Sequence, residues 1–262
     1  MLLLPLTTGF AVGIMAGGRV TPILPLTFTI MTLFWLRTPL ESWLGVGTVR
    51  AQTPAERTLA RNVSAFLGAA SICSLCGLFW QGRNISLLLL GLIAAIAFGA
   101  QLGLKKLGRA TRIASEIIGA LALTATAPAA YYVTAGKLDM TAWTLWLVNW
   151  LFAADQVHYV WVKIRGSRAA GWKSKWSVGW SFMAGQVAMA GVLYTTCYLA
   201  WLPRVALLAF VPILIRGSVW FVANPKPIIV RRLGWSELAH AVTFATLLIA
   251  AFRWTEQVGR HL

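Results

Sequence analysis

Leu147–Arg168 reads LVNWLFAADQVHYVWVKIRGSR, an apolar run with a carboxylate, an amide, a histidine and a tyrosine in its middle and a basic exit. An ionised side chain at the centre of a lipid-spanning helix costs about 2.5–3.5 kcal/mol on insertion scales, so such residues face a bundle interior or a wet cavity. At about 100° per residue, Asp155, Tyr159 and Lys163 form an i, i+4, i+8 ridge, which Gln156 and Asn149 widen to an arc of roughly 120°. His158 and Arg165 flank that arc on the other side.

The rest of the chain fits a helix of this kind. Of its 262 residues 58% are hydrophobic and only 11% charged, against about 25% charged in an ordinary soluble domain. Nine apolar segments can be drawn, at 2–16, 22–36, 62–80, 85–104, 113–134, 142–163, 178–200, 202–223 and 235–253. Most approach the roughly 20 residues that a spanning helix needs. The expected fold is an all-α transmembrane bundle of about nine helices, forming a single polytopic membrane domain over residues 1–262. No polar segment is long enough to fold separately.

The net charge of +16 does not point to nucleic acid, because the basic residues sit in short loops between apolar runs. Their distribution orients the bundle. The odd-numbered loops carry one each: Arg19, Arg83, Lys137 and Arg204. The even-numbered loops carry sixteen: Arg37, Arg50, Arg57 and Arg61 in the second; Lys105, Lys106, Arg109 and Arg112 in the fourth; Lys163, Arg165, Arg168, Lys173 and Lys175 in the sixth; Lys226, Arg231 and Arg232 in the eighth. The positive-inside rule puts the even loops and the N-terminus in the cytoplasm and the C-terminus outside. Trp80, Trp143, Trp172, Trp176, Trp201, Trp235 and Trp254 lie near segment ends, as an interfacial aromatic belt requires. Trp35-Leu36-Arg37 echoes Trp161-Val162-Lys163, and Lys105-Lys106-Leu107-Gly108 echoes Arg231-Arg232-Leu233-Gly234, both at one offset. That suggests two parallel four-helix repeats plus one helix.

Of seven carboxylates, Glu116, Asp155 and Glu237 fall inside apolar segments, as does Arg216. His240 follows Glu237 by one turn, on the same helix face. All of these project toward the even-loop half or the midplane. Two readings stay open. In one, the charges pair, for instance Arg216 with Asp155 or Glu237, and lock the bundle. In the other they line a cytoplasm-facing pocket, with Arg216 and Arg165 holding an anionic end, Asp155 and the Glu237–His240 pair serving as proton acceptors or polar anchors, and Glu116, His158 and Tyr159 as further lining residues. Gln186 reads as a helix–helix hydrogen bond. No metal site is expected, because Asp155, His158 and His240 have no ligand spacing and His261 is at the tail. Cys73-Ser-Leu-Cys76 lacks a second pair and a basic neighbour, so it reads as helix-contact residues. The sequons at Asn62 and Asn84 carry little weight without a secretory context.

Val157, Tyr159-Val160 and Ile164-Arg165 resemble the Y-V-x-x-x-I-R signature of the YwiC-like membrane proteins, and Gly234, Glu237, His240 and Phe244 resemble that family's final helix. The opening MLLLPLTTGF is similar to the part of its first helix after a Glu-His-Gly-Ala-Trp motif, which this chain lacks; a truncated first helix is the expectation. Where the family pattern has a Lys two residues after the Tyr, Trp161 stands here. Nine helices with long loops after the second and sixth are also similar in architecture to UbiA-type prenyltransferases. Those enzymes hold Mg²⁺ and a diphosphate with Asp-rich motifs at these loops, and Mg²⁺ needs several oxygen ligands. Residues 37–61 hold Glu41 and Glu56 but no Asp, and 163–175 hold no carboxylate, which argues against Mg²⁺-dependent prenyl transfer.

The resulting expectation is a multi-pass protein of the bacterial cytoplasmic membrane, with no cofactor, whose pocket binds a lipid-like or anionic amphiphile from the bilayer. The alternatives are a small-molecule or ion transporter with a carboxylate/histidine relay, or an accessory subunit of a membrane complex. No nucleotide-binding loop or nucleophile elbow is present.

Overall fold

The computed structural model describes residues 2–45, 51–80, 82, 85–108, 111–167, 172–222 and 229–260, with side chains to 257. Arg50, Arg83, Asn84, Arg109, Arg168, Lys226 and His261 lie outside the described residues, as does the side chain of Arg260. Among the described residues the chain is helical, with no strand. The helices are α1 (Leu3–Met15), α2 (Ile23–Trp43), α3 (Pro54–Trp80), α4 (Ile85–Lys106), α5 (Arg112–Thr124), α6 (Thr126–Ala135), α7 (Met140–Gly166), α8 (Trp172–Tyr198), α9 (Val211–Val222) and α10 (Val230–Arg260), with a 3-10 stretch at Arg204–Ala209 before α9.

The described residues form nine successive segments, because two are broken helices. Pro128 stands in the first turn of α6, and its missing N–H and its ring interrupt the ladder from α5. Pro212 does the same at the second residue of α9, so the 3-10 stretch ends at Ala209 and a new helix begins at Val211. Among the described residues six segments are long and apolar enough to cross a membrane: Ile23–Trp43, Pro54–Trp80, Ile85–Lys106, Arg112–Ala135, Arg204–Val222 and Val230–Gln257. This is a multi-pass membrane protein. Helix α7 has the length, at 27 residues, but its Asn, Asp, Gln and His lower its hydropathy.

Several helices run past their apolar segments. Helix α3 begins at Pro54, eight residues before the hydropathy rises, and α8 and α10 begin at Trp172 and Val230. Hydropathy marks only the part in lipid, whereas helical hydrogen bonding continues into the headgroup region. Consequently Arg57, Arg61, Lys173, Lys175, Arg231 and Arg232, expected in loops, stand on terminal helical turns.

Three helices form the middle. Thr126–Thr134 of α6 are all buried, and α7 turns thirteen residues inward. Helix α1 lies against α6 through Gly9 and Gly13, where an added Cβ would collide with the Ala127 carbonyl and the Thr134 hydroxyl. This G-x-x-x-G pair lets two backbones approach as larger residues would not. The Thr8 hydroxyl and the Asn149 amide, 3.1 Å apart, tie α1 to α7. The indoles of Trp146 and Trp150 donate to the Leu121 and Ile117 carbonyls of α5. An apolar cluster on one side gathers Leu26, Ile30, Leu78, Leu87 and Leu90 from α2–α4. On the other side Phe152, Met189, Phe210, Ile213, Phe244 and Leu248 join α7 to α8–α10.

Helix ends that the charge pattern assigns to one side meet in space. Lys105 at the end of α4 reaches Glu41 at the end of α2 at 2.9 Å, and Lys175 in the first turn of α8 donates to the Phe221 carbonyl at the end of α9 at 3.2 Å. At the opposite end the Arg19 amide donates to the Thr134 carbonyl at 3.0 Å.

Candidate functional site

Each of the four helices after α6 delivers at least one polar side chain to one point. The i, i+4 ridge of α7 brings Asp155 and Tyr159 inward, both buried. Helix α8 supplies Gln186, α9 Arg216 and α10 Glu237. Gly217 permits the approach of α9 to α8, since a Cβ there would press on Phe182 at 3.1 Å and on the Gln186 amide at 3.4 Å.

Arg216 is the hub. Its Nη2 donates to Asp155 Oδ2 at 3.1 Å and its Nη1 to Glu237 Oε2 at 2.5 Å. The guanidinium carbon lies 3.9 Å from the centroid of the Tyr159 ring, a cation–π contact. Gln186 donates from Nε2 to the other oxygen of Asp155, and Gln156 donates to the backbone carbonyl of Glu237 at 3.0 Å. Side-chain exposures of 7% for Arg216, 4% for Asp155 and 15% for Glu237 make this an interior cluster. Two polar atoms within it, Arg216 Nε and Glu237 Oε1, are buried without a hydrogen-bond partner.

The charge does not balance. One guanidinium faces two carboxylates, which leaves an excess negative charge if both ionise. An uncompensated charge of that kind in a medium of low dielectric constant costs several kcal/mol. Charge balance therefore requires a proton on one carboxylate or a bound cation. Beyond the Tyr159 ring, Lys163 Nζ donates to the Tyr159 hydroxyl at 3.4 Å, and Lys163 is two turns nearer the basic end of α7, about 12 Å from Asp155 at 1.5 Å per residue.

Of the residues expected from sequence, Asp155, Tyr159, Arg216 and Glu237 converge. The others go elsewhere. Arg165 is exposed and stacks on Trp161, 4.0 Å from its ring centroid, on the far face of α7. His158 Nε2 meets the Ser181 hydroxyl at 3.1 Å and the ring sits edge-on to Phe182. His240 does not pair with Glu237; its Nδ1 is 2.7 Å from the Ser236 carbonyl, which only accepts, so this nitrogen carries the proton. Glu116 is exposed near the start of α5, with no ion pair among the described residues. A one-turn spacing puts two side chains on one face, but each rotates to its own partner.

A cavity of about 20 Å³, lined by Leu4, Pro5, Asn149, Phe152, Ala153, Gln156 and Ala241, lies between α1, α7 and α10, a volume that suits a single water. Among the described residues no group of three or more His, Cys, Asp or Glu could hold a metal ion.

Reasoning from sequence missed a second ion cluster. Glu41 on α2 accepts from Arg37 Nε and from Lys105 Nζ, both at 2.9 Å. The i, i+4 spacing of Arg37 and Glu41 could have signalled half of it, whereas Lys105 comes from another helix. The glycine pair of α1 was legible as G-x-x-x-G in an apolar run, though not its partner helix.

The model of a family described as YwiC-like protein matches residues 1–131, which end within α6, before any residue of the Asp155–Arg216–Glu237 cluster. No curated protein and no solved structure matches the chain.

Proposed function

The chain belongs to the YwiC-like family, and from that premise we propose that it is a proton- or cation-coupled carrier of a small solute in the cytoplasmic membrane. In this reading the Asp155–Arg216–Glu237 cluster is the coupling centre. The observation that carries it is two interior carboxylates on one guanidinium, with a further carboxylate oxygen left without a donor. Such a site must hold a proton or monovalent cation to stay neutral, and it can release that ion only toward water.

The sequence of events follows from the contacts. Protonation of Asp155 removes one arm of the Arg216 fork, so that α9 is held electrostatically to α10 alone, through Glu237. Gln186 then loses its charged acceptor, and the contact between α7 and α8 weakens with it. Helix α9 is suited to such a shift, because it is the second half of a broken helix and Arg216 lies just over one turn from the break. Discontinuous helices of this kind recur at the ion and substrate sites of transporters. Tyr159 and Lys163 connect the centre to the basic end, which the positive-inside rule assigns to the cytoplasm. An anionic amphiphile held by Arg216 has less support, since both Nη groups are engaged by carboxylates.

The test is charge movement in reconstituted membranes. Proteoliposomes on a solid-supported sensor, jumped between about pH 5 and pH 9, a range that includes the highest values of buried carboxylates, should displace charge. Asp155→Asn and Glu237→Gln should each abolish the signal while eluting as folded protein. A wild-type protein that displaces no charge on a pH jump, nor on a jump of Na⁺ or K⁺ at fixed pH, or variants that match it, would leave the cluster as a lock between helices and end the carrier reading.

A further inference from the structure

The other end of the chain carries a second feature, independent of the coupling centre. Arg57 and Arg61 stand one turn apart at the start of α3, exposed, and no carboxylate among the described residues pairs with them. Glu56 is adjacent in sequence but already engaged. Its Oε2 accepts from the Gln52 and Thr53 amides at 2.7 and 3.3 Å, while Thr53 Oγ1 accepts from the Glu56 amide at 3.2 Å. This reciprocal capping box uses the Glu56 carboxylate to satisfy the helix terminus and leaves both guanidinium groups their charge.

Both arginines border an open cavity of about 240 Å³, whose other walls are Trp43 at the end of α2, Pro54 and Thr58. It is smaller than the roughly 300–1,000 Å³ of a drug-sized ligand site, and so suits a headgroup rather than a whole metabolite. Toward the membrane interior the face of α3 that carries the arginines turns apolar: at about 100° per residue Ala65 and Ile72 follow Arg57 and Arg61 on that face, and both are exposed. A polar cradle over apolar, lipid-facing helix surface fits a molecule with the same division. The neighbouring α2 and α4 ends add positive potential, since Arg37 and Lys105 share a single carboxylate.

We propose that this groove binds the phosphodiester of an anionic phospholipid. Arg57 and Arg61 grip the phosphate oxygens through charge-assisted hydrogen bonds, Trp43 seats the glycerol level at the interface, and the acyl chains lie along α2 and α3. The site anchors the α2–α3 hairpin to the inner leaflet.

The experiment is a native mass spectrometry titration of the full chain in neutral detergent, with phosphatidylglycerol, phosphatidylcholine and inorganic phosphate as separate probes. Wild type should prefer phosphatidylglycerol over phosphatidylcholine by roughly tenfold or more, as two arginines at a headgroup suggest. Arg57→Gln/Arg61→Gln should erase the preference, each single substitution should lower it by about threefold on the same scale, and Arg19→Gln at the opposite end should leave it intact. The single variants keep the test decisive should the double variant fail to fold. An unchanged preference in the variants overturns the proposal. Inorganic phosphate bound as tightly as phosphatidylglycerol would also overturn it, in favour of a soluble phosphate ligand.

Discussion

Two ion clusters in this protein are near opposites. Arg37, Glu41 and Lys105 put two cations on one carboxylate where α2 and α4 end, with side chains 26%, 13% and 21% exposed. Asp155, Arg216 and Glu237 put two carboxylates on one cation, in mid-helix and almost closed to solvent. The excess charge of the first meets water and headgroups, which screen it. The excess charge of the second has no such outlet and must be cancelled by a proton or a cation. The same three-body geometry is thus screened by its surroundings in one place and short of a counter-charge in the other. Depth makes the difference.

The largest effect should come from removing the shared cation of the buried cluster. Arg216→Gln leaves two interior carboxylates without a counter-charge and should cost about 3–5 kcal/mol, seen as a fall in thermal midpoint in detergent. Adding Glu237→Gln to that variant should recover part of the loss, because one of the stranded charges disappears; a double variant no better than the single one would show the charge count to be irrelevant.

Next comes the contact of α1 with α6, which is made without charge. Gly13→Leu would drive a side chain into Thr134 of α6 and should cost about 1–3 kcal/mol, as overpacking does. It should leave the pH-driven charge displacement of whatever protein folds unaltered, which separates packing of the centre from chemistry at the cluster.

Lys105→Gln at the rim should cost only about 0.2–1 kcal/mol, since Arg37 still serves Glu41 and solvent screens the pair. Equal losses for Lys105→Gln and Arg216→Gln would erase the distinction drawn between the two clusters.

Smallest is an effect of pH at the start of α7. Asp139 caps that helix, accepting from the Thr141 and Ala142 amides, and also from Tyr131 and Lys137. Partial burial pushes its pKa up, but the hydrogen bonds from Lys137, Tyr131 and Ala142 and the Lys137 charge outweigh that and hold it below its ordinary 3.8. Its contribution is therefore fully present above that value and is lost as the pH falls through the depressed one. Wild type and Asp139→Asn should differ in stability at neutral pH and converge in strong acid, measured by thermal unfolding across that range.

The nine segments were readable because hydrocarbon demands long apolar runs, and hydropathy is a local property. The readable part extended to Asp155 and Tyr159, whose spacing puts them on one face of α7 wherever that helix goes. It did not extend to Arg165 or His240. Both have plausible spacing, yet Arg165 finds Trp161 and His240 finds its own preceding turn. Helical periodicity specifies an angle about an axis and says nothing of which neighbour a long side chain will choose. The early starts of α3, α8 and α10 escaped notice for a related reason, since hydropathy falls at the lipid boundary while the hydrogen-bond ladder continues.

Sequence alone determined that this chain crosses a membrane many times, that its basic loops gather at one end, and that Asp155, Arg216 and Glu237 could not face acyl chains. Each follows from the cost of placing a charge in hydrocarbon, which any residue incurs wherever its helix is packed. Only the tertiary structure decided that a single guanidinium would serve both carboxylates, that Gln186 would complete the set, and that Glu116 and Arg165 would stay outside. Partner choice is settled by helix packing, where glycines such as Gly13 and Gly217 set how closely two backbones approach, and that distance is written in no one segment.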